Sequence, residues 1–199
     1  DLVGEEHERA VRVLLPVRGT RDQWHAWADI VPGAVIDGAT TWEQISDGAP
    51  ALVQPPYGSL SEQTSEALVT ALTRDGEREC DFIHWAGYAE DDILPREDVV
   101  VPAWALPLVR RLSVDPKKSI RQGVPLDIVV IREPLSWLAR ELPLHTQQCP
   151  MLILPHDRSF VTACPIYHDS VYIGCTRELG DSLLAADLDS YPISLDSVI

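Results

Sequence analysis

Two histidine–aspartate pairs, His156-Asp157 and His168-Asp169, fall inside one short stretch, PHDRSFVTACPIYHDSVYIGC, together with Cys164 and Cys175. If a hairpin brought them to one end, they would offer two imidazoles and two carboxylates. That set suits a catalytic divalent metal, or general acid–base chemistry near neutral pH. The same residues also have the composition of two turns, in which Asp157 pairs with Arg158 or caps the chain reversal. A second spacing overlaps the first. His145, Cys149, Cys164 and His168 spell H-x3-C-x14-C-x3-H, and ligand pairs three or four residues apart are what a tetrahedral zinc site uses. Against zinc, Cys149 and Cys164 each precede a proline, which holds them in extended backbone. Cysteine is also commonly an ordinary small buried hydrophobe. Turn and strand chemistry account for all these residues, and no cofactor is expected.

Other reactive arrangements are absent from the sequence. There is no G-x-S-x-G elbow, P-loop, G-x-G-x-x-G or H-E-x-x-H. Cys80 and His84 have the spacing of a thiolate pair, but on a strand positions i and i+4 lie about 13 Å apart. Acids gather at Asp75, Glu77, Glu79 and Asp81, and again at Glu90, Asp91 and Asp92. Carboxylates in such numbers serve a divalent cation, a basic partner or plain solvation. Trp85 beside Glu90, Asp91 and Asp92 combines an aromatic with charge, as a partner-binding surface would.

Charge narrows the classes of function. Thirty-one acids against 16 bases leave a formal net charge of −15. Such a chain repels phosphate backbones and anionic lipid, so nucleic-acid and membrane partners are not expected. A basic protein partner is favoured, with association faster at low salt. The longest apolar run, VVVPAWALPLV, is broken by Pro102 and Pro107 and falls far short of the ~20 residues a membrane span needs. The opening residues do not read as a signal peptide, and the four cysteines are widely spaced. The expectation is a cytoplasmic protein with reduced thiols.

The elements that position these residues are partly readable. TRDQWHAWADIVPG predicts a helix boxed by Thr20 and Gln23, with Trp24, Trp27 and Ala28 on one face. Thr40 and Glu43 predict a short helix bearing Trp42 and Ile45. SLSEQTSEALVTALTRDG predicts the best helix, capped by Ser59, boxed by Glu62 and stopped at Asp75-Gly76. CDFIHWAGY, REDVVVPAW and PLDIVVIRE predict strands, the last apolar enough to be central. Leu135–Leu142 predicts a short helix capped through Ser136. MLIL, RSFVTAC and DSVYIGC predict three more strands, and TRELGDSLLAA a closing helix capped by Thr176. Residues 1–18 fit either a helix or a strand. Strands mixed with helices outside strict βαβ alternation predict an α+β fold over 1–199, a single domain with a largely antiparallel or mixed sheet and flanking helices.

FIHWAGY, VVVPAWAL, MLILPHDRSFVTA and VYIGCTRELGDSLLAADLDSYPI together resemble a family of uncharacterised acidic bacterial proteins. Its pattern has a W-x-G-[WY] element, a P-x-D-R-[SA]-[FW] element, a glycine before Ser/Thr and a leucine-rich closing helix. The resemblance spans Tyr57 to Ile199, with residues 1–56 more individual. It departs at Cys175, where a second glycine is usual, and around Trp104. It implies that Trp85, Gly87, Asp157, Arg158 and Gly174 are scaffold positions, and it implies no activity. The expected function is protein binding, in one form immunity-type neutralisation of a basic toxin or nuclease. The alternative is a metal-dependent hydrolase using His156, Asp157, His168 and Asp169.

Overall fold

The computed structural model describes residues 7–19, 23–50, 53, 56–85, 101, 103–108, 128–140, 148–166 and 168–195. Nine strands occur among them: β1 (Arg9–Leu14), β2 (Val17–Arg18), β3 (Trp24–His25), β4 (Glu79–Trp85), β5 (Ile128–Pro134), β6 (Leu152–Pro155), β7 (Phe160–Ala163), β8 (Ser170–Cys175) and β9 (Ser190–Ile193). Seven form one antiparallel sheet in the order β5-β4-β6-β7-β8-β1-β9, and β2 and β3 form a two-stranded ribbon. Helices α1 (Trp27–Ile30), α2 (Trp42–Ile45), α3 (Glu62–Leu72), α4 (Trp137–Arg140) and α5 (Arg177–Ala185) flank the sheet. The fold is α+β, as the mixture of strand and helix patterns implies.

Alternation along the strands assigns side chains to two covered faces. Cys80 and Phe82 of β4, Val129 and Ile131 of β5, and Val171 and Ile173 of β8 point into one core with Leu68 and Leu72 of α3, Leu138 of α4, and Leu179 and Leu183 of α5. The opposite face carries Ile83, Val130, Leu152, Leu154, Val161 and Tyr172, and Trp104 and Ala105 pack over it. A third cluster, built on Leu14, Val17, Trp27 and Trp42, closes the end of the sheet near β1.

Several local expectations are displaced. Trp24 and His25 lie on a strand, because Arg18 and Val17 pair with them and the Arg18 guanidinium stacks on the Trp24 ring at 5.6 Å. The helix begins only at Trp27, whose Nε1–H donates to the Leu15 carbonyl at 2.8 Å. The expected cap Thr20 lies outside the described residues. Thr41, not Thr40, opens α2, and its backbone N–H donates to Gln44 Oε1 at 2.8 Å. Thr40 instead donates through its hydroxyl to Asp37 Oδ1 in a side-chain-closed turn. Ser61, not Ser59, caps α3, accepting from the Thr64 N–H at 3.0 Å. Gly76 does stop the chain after α3, with φ of 124°. β5 is apolar yet sits at an edge of the sheet. Its hydrophobicity reports two covered faces, not a central place. Of REDVVVPAW, residues 96–100 and Pro102 lie outside the described residues, and Ala103–Ala105 is a 3-10 turn.

Candidate functional site

The two histidine–aspartate pairs occupy opposite ends of the sheet. His156-Asp157 lies in the turn from β6 to β7, and His168-Asp169 in the connection from β7 to β8. The whole of β7 separates them, so the structure does not bring the four side chains to one place.

Asp157 belongs to its turn. Its Oδ1 accepts from the Ser159 N–H at 2.9 Å, and its Oδ2 accepts from Arg78 Nε at 3.1 Å. Burial works against its charge, but these hydrogen bonds and the Arg78 guanidinium outweigh it and hold the carboxyl below its ordinary range. The sequence anticipated the turn; the cationic partner is Arg78, not Arg158.

Asp169 is a buried structural carboxylate. Arg12 of β1 donates from Nη2 to its Oδ1 at 3.0 Å, from Nε to Ser170 Oγ at 2.8 Å, and from Nη1 to the Gly38 carbonyl at 3.0 Å. Ser170 Oγ also donates to Asp169 Oδ1, and Asp169 Oδ2 accepts the Trp42 N–H at 2.8 Å. This network ties α2 and the Gly38 loop to the sheet. His168 packs its ring on Tyr172 at 6.0 Å, and burial holds its pKa below the ordinary value.

Cys149 and Cys164 do come together. Both are buried, and a thiol–thiol hydrogen bond, added to burial, pushes Cys149 well above its ordinary pKa. His145 lies outside the described residues, and among the described residues no three His, Cys, Asp or Glu side chains are placed to hold a metal ion. Trp85 is half-buried at the end of β4, while Glu90, Asp91 and Asp92 lie outside the described residues.

His156 has a different partner from any the sequence indicated. Antiparallel register places Asp81 of β4 opposite Arg132 of β5 and Leu154 of β6. Arg132 donates from Nε to Asp81 Oδ1 at 2.8 Å and from Nη2 to Oδ2 at 3.3 Å. His156 Nε2 lies 3.3 Å from the same Oδ1. An ionised carboxylate only accepts, so it selects the Nε2–H tautomer. Asp81 is fully buried, while the His156 side chain is 44% exposed. These residues line a cavity of about 330 Å³ with Trp104, Leu154, Pro155 and Arg158. Arg158 lays its guanidinium over the Trp104 ring at 5.0 Å and has φ of 57°, the only non-glycine residue with positive φ among the described residues.

A second cavity, of about 250 Å³, has the opposite character. It lies between the β2–β3 ribbon, the start of α3 and the approach to β9. Trp24 and His25 line it with Asp29, Asp187 and Asp189, and with Ser61, Gln63 and Thr64. Asp29 and Asp187 are exposed. Burial, reinforced by Asp29, raises the Asp189 pKa against an opposing hydrogen bond from Tyr191. Its lining joins three segments far apart in sequence, so no local motif announces it.

Comparison with known proteins adds no family to this geometry: no protein-family model matches the chain, and no curated protein or solved structure matches it, so the resemblance carried by the W-x-G-Y and P-x-D-R-S elements rests on those residues alone.

Proposed function

We propose that this protein is a binding module whose acidic surface takes up a basic protein partner. The observation that carries this reading is the cleft beside Trp24, where Asp29, Asp187 and Asp189 gather around an aromatic wall in a chain of net charge −15. An arginine or lysine from a partner would meet carboxylates there, beside a Trp24 ring that already carries the Arg18 guanidinium. Further exposed acids are Glu43 of α2, Asp47 just beyond it, and Glu62 and Glu66 of α3, whose first turn lines the cleft through Gln63 and Thr64. A basic toxin or nuclease neutralised in the manner of an immunity protein is one partner of this kind. The hydrolase alternative draws no support from placement, since His156 and His168 lie at opposite ends of β7 and Asp169 is engaged by Arg12.

The test is affinity capture at low salt with the native chain and with an Asp29→Lys, Asp187→Lys double variant. The expected result is one stoichiometric basic polypeptide, released as salt rises and lost in the double variant. Capture of the same polypeptide by both proteins, or of none by the native chain, overturns the proposal.

A further inference from the structure

We propose that the cavity between Asp81, Arg132, His156, Arg158 and Trp104 is a binding site for a small oxyanion, a carboxylate or phosphate group carried on a compact apolar body. This site is separate from the acidic cleft and does not depend on the reading of that cleft.

Among the described residues, two guanidiniums and an imidazole line this cavity with one carboxylate, Asp81. Asp81 is fully engaged, with Oδ1 facing both Arg132 and His156 and Oδ2 facing Arg132. It therefore serves to orient the two side chains and is a poor ligand for a cation. Arg158 contributes a charge that no carboxylate among the described residues pairs with. The Arg158 guanidinium carbon stands 5.0 Å from the Trp104 ring centroid, and a guanidinium's fork of N–H donors suits the two-oxygen geometry of carboxylate and phosphate. His156 lines the same cavity, with its Nε2 directed at Asp81. Trp104, Leu154 and Pro155 supply an apolar wall for the rest of the molecule.

The backbone points the same way. Pro155–Arg158 is a turn closed by the Arg158 N–H to the Pro155 carbonyl at 3.0 Å, and it ends with Arg158 in the left-handed region. Glycine or asparagine occupies such positions at little cost, and an arginine there is strained. Residues held in this way cluster at ligand sites, where the side chain matters more than the strain. The net charge of −15 opposes anions at long range, but the Debye length at physiological salt is about 8 Å. Inside the cavity the Arg158 guanidinium, which no carboxylate among the described residues pairs with, favours an anion.

Isothermal titration at constant ionic strength tests this with three probes: benzoate, inorganic phosphate, and benzamide as the neutral counterpart of benzoate. At least one anion should bind one-to-one and benzamide should not. Arg158→Gln, an exposed change that leaves the Asp81–Arg132 pair intact, should weaken binding about tenfold or more. Trp104→Phe should abolish the accompanying change in tryptophan fluorescence while the calorimetric signal persists. Binding of phosphate alone assigns the site to phosphoryl ligands, and binding of benzoate alone to carboxylates. The proposal fails if neither anion binds, if benzamide matches benzoate, or if Arg158→Gln binds as tightly as the native chain.

Discussion

Arg12 and Asp169 are 157 residues apart in the chain and 3.0 Å apart in the fold, with side chains only 3% and 10% exposed. Every oxygen of the carboxylate and three nitrogens of the guanidinium have partners, so the pair is a satisfied network rather than a reactive one. Asp169→Ala strands a buried cation and should cost about 3–5 kcal/mol of stability. Adding Arg12→Met removes that cation and should recover much of the loss, because a buried pair gains little over apolar packing. Urea unfolding of the two variants checks this. Equal stability of the single variant and the native chain would mean that the pair does not hold the Gly38 loop.

This network also shows what the sequence could and could not reveal. His168-Asp169 was legible as a turn, and β7, β8 and the Thr176 cap of α5 were legible from alternation and capping chemistry. Arg12, the partner of Asp169, stood in a stretch that fitted helix or strand equally, and only its place between β8 and β9 makes it a core strand. β9 went unseen because Tyr191-Pro192 reads as a strand breaker, which an edge position tolerates. Asp81 gave one local hint, a charge on the same strand face as Ile83. Its partners Arg132 and His156 come from antiparallel register, which no pattern within a single strand encodes. The Trp24 segment shows tertiary pairing overriding a good helical pattern.

All four cysteines are free and buried. Burial pushes Cys175 up to about 12, and burial also raises Cys80, with the nearby carboxylates adding to it. A thiol is attacked or oxidised through its thiolate, so these groups are chemically quiet in the folded protein. Ellman's reagent at pH 8 should find none of the four within minutes in the native state and all four in denaturant. One rapidly reacting thiol under native conditions would show that a core strand or its covering helix opens readily.

His84 lies in the core beside Trp137, with ring centroids 6.2 Å apart, and its Nε2 has no hydrogen-bond partner among the described residues. Burial holds its folded-state pKa down to about 4, against 6.5 when unfolded. Above pH 6.5 the ring is neutral in both states and the full stability is present. As pH falls from 6.5 toward 4, the unfolded chain takes up a proton that the folded chain refuses, and stability drops by up to about 3 kcal/mol. Burial lowers His168 in the same direction, whereas carboxylates held below their ordinary range, such as Asp157, act only at lower pH. His84→Leu should flatten, without abolishing, the loss in urea midpoint between pH 7 and pH 5. Superimposable profiles for variant and native protein would rule out a neutral buried ring.

Arg158 separates stability from binding in a single residue. Its φ of 57° suits glycine, so Arg158→Gly should relieve strain and stabilise the fold by about 1 kcal/mol, less the entropy glycine adds to the unfolded chain. The same change removes the guanidinium over Trp104 and should weaken anion binding in the cavity about tenfold or more. Thermal unfolding and calorimetric titration of one variant therefore move in opposite directions. A destabilised Arg158→Gly protein would mean that stacking on Trp104 outweighs the backbone strain, and the arginine would then be explained by packing alone.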